Sequence, residues 1–284
     1  SAKWVEHGKE VYLQRCVGCH GEKGDGNGPA ATFLDPRPRD FRDAIFKFRV
    51  TPSGALPTEG DLYRTITRGV RGTAMPTWHE LPEKDRLAVI QYIKTFSSAW
   101  KDKYLKQPAI LIPDPPPPSE DLIAQGRKLY INEGRCWNCH GGPGMKDNQP
   151  FNYPWGRGPS AANLKDDWGF PLLATDFTTG ILKSGPDVTD IFRTMSTGLN
   201  GAAMPSFAAN LSEEQRWAIS YYVLSLSAYT DPLHHKKLEI PERTKASLDD
   251  LELKTPTWRS AFDPSKSQTT AAEQKSRSYL RIAE

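Results

Sequence analysis

The sequence predicts a mainly α-helical protein made of two tandem domains, each of short helices held by long ordered loops, followed by an extended C-terminal tail. The first observation behind this is an internal repeat. DLYRTITRGVRGTAMPTW (61–78) aligns with DIFRTMSTGLNGAAMPSF (190–207) without a gap, at 8 identities in 18 positions. A period this long makes each copy a domain rather than one unit of a solenoid. The second observation is apolar spacing of helical period, as at Val89, Ile90, Ile93 and Phe96. The third is the presence of 24 prolines and 22 glycines among 284 residues, a composition that favours loops over long regular elements.

Taken in order, each copy opens with a helix that runs into a C-x-x-C-H pentapeptide: GKEVYLQR before CVGCH, and GRKLYINEGR before CWNCH. A long loop leads to a middle helix ending near Gly69 or Gly198, then to a short loop containing Met-Pro, then to a final helix. Ser212 and Gln215 stand at capping-box spacing at the start of that last helix, and Pro82 occupies the matching start in the first copy. Between the copies, KQPAILIPDPPPPSED reads as a semi-rigid polyproline-type linker that limits reorientation. The expected boundaries are 1–100 for the first domain, 101–118 for the linker, 119–230 for the second domain and 231–284 for the tail. Domains of about 100 residues with long loops have little aliphatic core of their own, so something apolar must fill the middle of each. In the tail, apolar residues are sparse (Leu238, Ile240, Leu251, Trp258, Phe262) and cannot make a third core. The tail is expected either to strap the two domains together or to act as an arm that binds a partner subunit.

Composition excludes several classes. The 37 basic and 34 acidic residues leave a formal charge of +3, scattered rather than blocked, which argues against nucleic acid as a partner. No run of 18 apolar residues exists, so no transmembrane segment is expected. The N-terminal SAKWVEHGKE has no basic flank followed by an apolar stretch, as expected of a chain whose export signal has already been removed.

All four cysteines, Cys16, Cys19, Cys136 and Cys139, fall in the two C-x-x-C-H copies, with His20 and His140 completing them. A structural zinc ion needs four ligands, and two cysteines with an adjacent histidine do not easily wrap one tetrahedral ion. A redox dithiol needs no histidine directly after it and usually sits in a βαβ setting. Covalent haem attachment uses all three residues, the thiols bonding the porphyrin edge and the histidine reaching the iron. The spacing is the attachment signature. Two covalently bound haem c groups are therefore expected.

With these motifs the two halves resemble class I c-type cytochromes, and the chain resembles tandem dihaem members of that group over about residues 4–98 and 119–229. The resemblance implies a methionine as second axial ligand, from a loop between middle and last helices and followed by proline. GTAMP and GAAMP supply Met75 and Met204. Met195, on a predicted helix, and Met145, too close to His140, read as packing residues instead. The family also places a proline carbonyl against the far nitrogen of the proximal histidine, for which GNGPAAT and GRGPSAA offer Pro29 and Pro159. Gly8 with Tyr12 and Tyr92, and Gly126 with Tyr130 and Tyr222, resemble the family's crossing of first and last helices. Trp78 and Phe207 are expected on the pocket wall. Arg37, Arg39, Lys47 and Arg49 read either as holders of a haem propionate or as a solvated basic loop. His79, His234 and His235 read as surface imidazoles.

Iron closed on both sides by histidine and methionine favours outer-sphere transfer of one electron. The expected function is electron carriage between a respiratory oxidoreductase and another redox partner, without catalysis of its own. LDPRPRDF followed by FKFR is similar to loops of multihaem cytochromes found beside respiratory molybdenum enzymes such as nitrite or nitrate oxidoreductases, which implies a molybdenum oxidoreductase complex as partner. The alternative is a dihaem peroxidase or sulfur-oxidising enzyme, which requires a haem without methionine or a cysteine outside the attachment motif. Attachment of haem in this style implies a periplasmic or equivalent exocytoplasmic compartment.

Overall fold

The computed structural model describes residues 2–141 and 164–227. Eight α-helices are found there: α1 Ala2–Arg15, α2 Val17–His20, α3 Glu59–Arg68, α4 Glu83–Ile93, α5 Glu120–Ile131, α6 Trp137–His140, α7 Val188–Thr197 and α8 Glu213–Ser225. Among the described residues no β-strand forms, and one isolated bridge joins Lys165 to Pro171. No helix among them is long and apolar enough to cross a membrane. The tail, with His234 and His235, lies outside the described residues, as do Met145 and Pro159.

The two copies repeat one plan. α1 crosses α4 at Gly8, where an added Cβ would lie 2.1 Å from the Ala88 carbonyl oxygen. α5 crosses α8 at Gly126, where a Cβ would lie 2.0 Å from the Ala218 carbonyl oxygen. Only glycine permits that approach, as the family resemblance implied. Tyrosines close each crossing edge to face, Tyr12 on Tyr92 at 5.3 Å and Tyr130 on Tyr222 at 5.2 Å.

The helix starts follow from their side chains. Ser212 and Gln215 form the expected capping box at α8, and Pro82 takes the corresponding position at α4. The middle helices are capped by Thr58 with Asp61 and by Asp187 with Asp190. Asp61 is fully buried yet satisfied, accepting from the backbone N–H of Val50 and Thr58, from the Thr58 hydroxyl and from Arg64. Both middle helices end where the repeat predicts, at Gly69 and Gly198, each with φ of +66°. The linker is pinned rather than free, with Ile110 N–H donating to the Val50 carbonyl and the Tyr221 hydroxyl to that of Pro116.

The core is divided. The first copy holds two small apolar clusters, one around Tyr12, Phe41 and Val89 and one around Leu56, Ile90 and Trp100. The second holds a single larger one around Phe192, Trp217 and Tyr222. Between these clusters and the loops lies a cavity of about 1330 Å³, in the middle where the thin core calls for an apolar filler.

Candidate metal centres

Each C-x-x-C-H segment folds as one helical turn set off from the helix before it. In the first, the N–H groups of Cys19 and His20 both reach the Cys16 carbonyl, at 3.2 and 3.0 Å. In the second, those of Cys139 and His140 reach the Cys136 carbonyl, at 3.2 and 2.9 Å. Residues three apart in such a turn share a face, so the two thiols of each copy stand together with the imidazole next to them. Both turns stop at a glycine in the left-handed region, Gly21 at φ +76° and Gly141 at φ +73°. A buried tyrosine then holds the stop: Tyr12 donates to the Gly21 carbonyl and Tyr130 to the Gly141 carbonyl, each at 2.7 Å. Burial raises the pKa of both phenols, so each keeps the proton it donates. The sequence shows these tyrosines as helix-crossing residues. Their second role, fixing the attachment turn, emerges only from the fold.

The imidazoles are oriented by carbonyls and by rings. His20 Nδ1–H donates to the Arg39 carbonyl and His140 Nδ1–H to the Thr175 carbonyl, both at 3.1 Å. This corrects the expectation for Pro29. The Gly28–Ala30 segment is committed elsewhere, its Gly28 and Ala30 N–H groups bonding the Cys19 and Gly18 carbonyls, so the later loop residue reaches the imidazole. Phe41 stacks on His20 at 4.5 Å and 20°, and Phe177 on His140 at 4.3 Å and 19°. Both phenylalanines follow the bonding residue by two, in R-D-F and T-D-F, a repeat that aligning the Asp-Phe pairs at 40–41 and 176–177 would have found. Burial lowers the pKa of both histidines. A neutral ring with Nδ1 donating leaves the Nε2 lone pair for a metal.

The thioethers arrive on matching loops. Val70 N–H donates to the Met75 carbonyl and Leu199 N–H to the Met204 carbonyl, each at 3.0 Å. The loops rejoin their helices through Trp78 N–H on the Ile66 carbonyl and Phe207 N–H on the Met195 carbonyl. A Cβ at Gly69 or Gly198 would meet Pro76 or Pro205 at 2.6 and 2.7 Å, so glycine is required for the loop to fold back.

Cys16, Cys19, His20 and Met75, with Cys136, Cys139, His140 and Met204, all line the one cavity, together with Trp78 and Phe207 as expected. Its volume exceeds the ~300–1,000 Å³ of a pocket for one small ligand. Among the described residues no three His, Cys, Asp or Glu side chains are grouped to hold a metal ion by themselves. Burial pushes the Cys16 and Cys136 thiols up to about 12, opposite to the low pKa of reactive dithiols. Donor set and cavity therefore fit a large apolar group that brings its own metal.

The basic loop divides. Arg39 and Lys47 line the cavity and are held down, by burial, to about 10 and about 8. Cations carrying that penalty suit the carboxylates of a haem. Arg37 also reaches the wall, over Phe170. Arg49 departs from the expectation: its guanidinium is 1 % exposed and bonds backbone carbonyls of both copies. His79 is a surface imidazole beside Thr77 and Glu80, and Met195 is buried in the core, accepting a hydrogen bond from Ser220.

Comparison with known proteins agrees with this geometry. Residues 4–93 match the family of cytochrome c oxidase, cbb3-type, subunit III, and residues 123–227 match the cytochrome c family. No curated protein matches the chain. Among solved structures, a chain of the Kuenenia stuttgartiensis reducing HAO-like protein complex is similar, with 42% identity and a TM-score of 0.71, covering 78% of this chain and 96% of that one.

Proposed function

Because this chain belongs to the cytochrome c family and carries two of its domains, hence two covalent haem c groups, we propose that it is an electron-transfer subunit passing single electrons between a respiratory oxidoreductase and a second redox partner. The observation that carries this is the repeated set of donors on one cavity wall: in each copy a neutral imidazole and a thioether, alongside two thiols. When bound, each haem supplies a one-electron iron couple.

The protein's part is to hold that couple still. Cys16 with Cys19, and Cys136 with Cys139, would hold the group covalently. His20 and His140, each oriented by a backbone carbonyl and a stacked phenylalanine, would supply an imidazole to its iron, and Met75 and Met204 a thioether, a donor pair that favours a high potential and outer-sphere transfer of one electron. Arg39 and Lys47 would offset the charge of its carboxylates from the cavity wall. A peroxidase reading needs one copy without its methionine, and both copies bring one to the cavity.

The partner follows from the relative named above, a member of a HAO-like complex. A molybdenum oxidoreductase rests only on the LDPRPRDF loop, and that loop has work inside the chain, presenting the Arg39 carbonyl and Phe41 to His20. Haem attachment of this kind supports a periplasmic or equivalent exocytoplasmic compartment as part of this reading. Purification from native membranes and soluble fractions tests the assignment. Recovery with an oxidoreductase that reduces both haems supports it, whereas steady turnover of peroxide or thiosulfate by the isolated chain contradicts it.

A further inference from the structure

Arg49 is a fully buried cation with no carboxylate at hydrogen-bond distance among the described residues. Its donors go to four carbonyls: Lys47 and Pro52 in its own copy, and Thr197 at 2.7 Å and Gly198 at 3.2 Å in the other. Those last two are the end of α7, where helix carbonyls lack intrahelical partners and the dipole is negative. Gly198 also opens the loop that carries Met204. Asn200, two residues on, is gripped from the first copy too, accepting from Gly54 N–H at 2.9 Å and donating to the Ala55 carbonyl at 3.2 Å.

The first copy's methionine loop has no such grip. No described side chain donates to the corresponding carbonyls of Arg68 and Gly69. The second copy reaches that region through a 3.7 Å ion pair from Arg68, itself 56% exposed, to Asp190, and through Ile181 against Gly72. Two loops of the same sequence pattern are therefore braced unequally across the domain interface.

We propose that Arg49, with Asn200, is a positioning residue for Met204, so that the first domain sets the thioether ligation and the potential of the second domain's haem. This rests on the reading of Met204 as a ligand. A planar fork with five donors serves four carbonyls at once, which an ammonium cannot. Without the fork the start of the loop keeps its own short bonds and the Asn200 contacts alone, and the sulfur spends more of its time away from the metal. Methionine ligation raises the potential, so the second haem's potential falls. A tenfold weakening of ligation in the reduced state relative to the oxidised state corresponds to ~59 mV for a one-electron couple.

The test is a redox titration and ferric absorption spectrum of the full holoprotein as wild type, Arg49→Gln, Arg49→Lys, Asn200→Ala and Met204→Ala. Met204→Ala marks the second haem's sulfur-to-iron band. If the band count is unchanged there, the ligand reading itself fails. With that band located, Arg49→Gln is expected to weaken it and lower that haem's potential while the first haem holds its value, and Arg49→Lys to restore the effect only in part. Asn200→Ala should shift the same haem in the same direction by less, and it decides the question if Arg49→Gln does not fold. Equal shifts at both haems, or none at the second, overturn the proposal.

Discussion

Replacing Gly126 by alanine tests whether the crossing of α5 and α8 is set by backbone contact. The added Cβ would stand 2.0 Å from the Ala218 carbonyl oxygen, 2.5 Å from its carbon and 2.8 Å from Tyr222 Cβ. Van der Waals contact between carbons begins near ~3.5 Å, so the helices must part by about 1 Å. The nearest obstacles are backbone atoms, which no rotamer change removes. Overpacking of this kind costs ~1–3 kcal/mol, and occasionally more, while alanine gains ~1 kcal/mol over glycine in a helix. With the obstacle rigid, the larger cost applies and the net loss is about 2 kcal/mol. At ~2–4 °C per kcal/mol for a unit of this size, Tm falls by about 4–8 °C. Far-UV circular dichroism melts of the holoprotein measure it. Gly60→Ala in α3 is the control, since its Cβ would meet only Thr58 Oγ1, at 3.6 Å, and stability should hold or rise by up to ~1 kcal/mol. If Gly126→Ala melts at or above wild type, close backbone approach does not hold this crossing together.

Other outcomes follow from the same geometry. Tyr130→Phe leaves the buried Gly141 carbonyl without its 2.7 Å partner, and urea titration should show a loss of ~1–3 kcal/mol; an unchanged midpoint would show that water takes the place of the phenol. Phe177→Leu removes the ring stacked on His140, an interaction worth ~0.5–1.5 kcal/mol beyond its buried area, and a redox titration should show the second haem shifting with the first unmoved.

The readable parts of this chain were those that depend on scarce residue types at fixed spacing. Four cysteines and two adjacent histidines declared the attachment turns, and A-M-P in both copies declared the thioether loops. Gly69, Gly198 and the Ser212–Gln215 pair were legible as helix ends because few residues serve there. What stayed hidden involves carbonyl groups, which every residue has. The acceptors of His20 and His140 are the main chain of Arg39 and Thr175, and nothing in those side chains advertises the role. Arg49 reads in the sequence as a propionate holder or a solvated charge, although two of its partners are carbonyls 148 and 149 positions away. Tyr12 and Tyr130 were visible as packing residues, but their hydroxyl bonds depend on how each first helix meets the turn that follows it. Contacts between the two copies have no counterpart within either repeat unit, so the repeat cannot reveal them.

The most direct measurement is a count of thioether-to-iron bonds per chain on the intact ferric protein, by quantifying the long-wavelength sulfur-to-iron absorption against total haem that stays attached after denaturation. Two attached haems and two such bands are predicted, one abolished by Met75→Ala and the other by Met204→Ala. Haem released on denaturation, or a haem whose band survives loss of both methionines, contradicts the account.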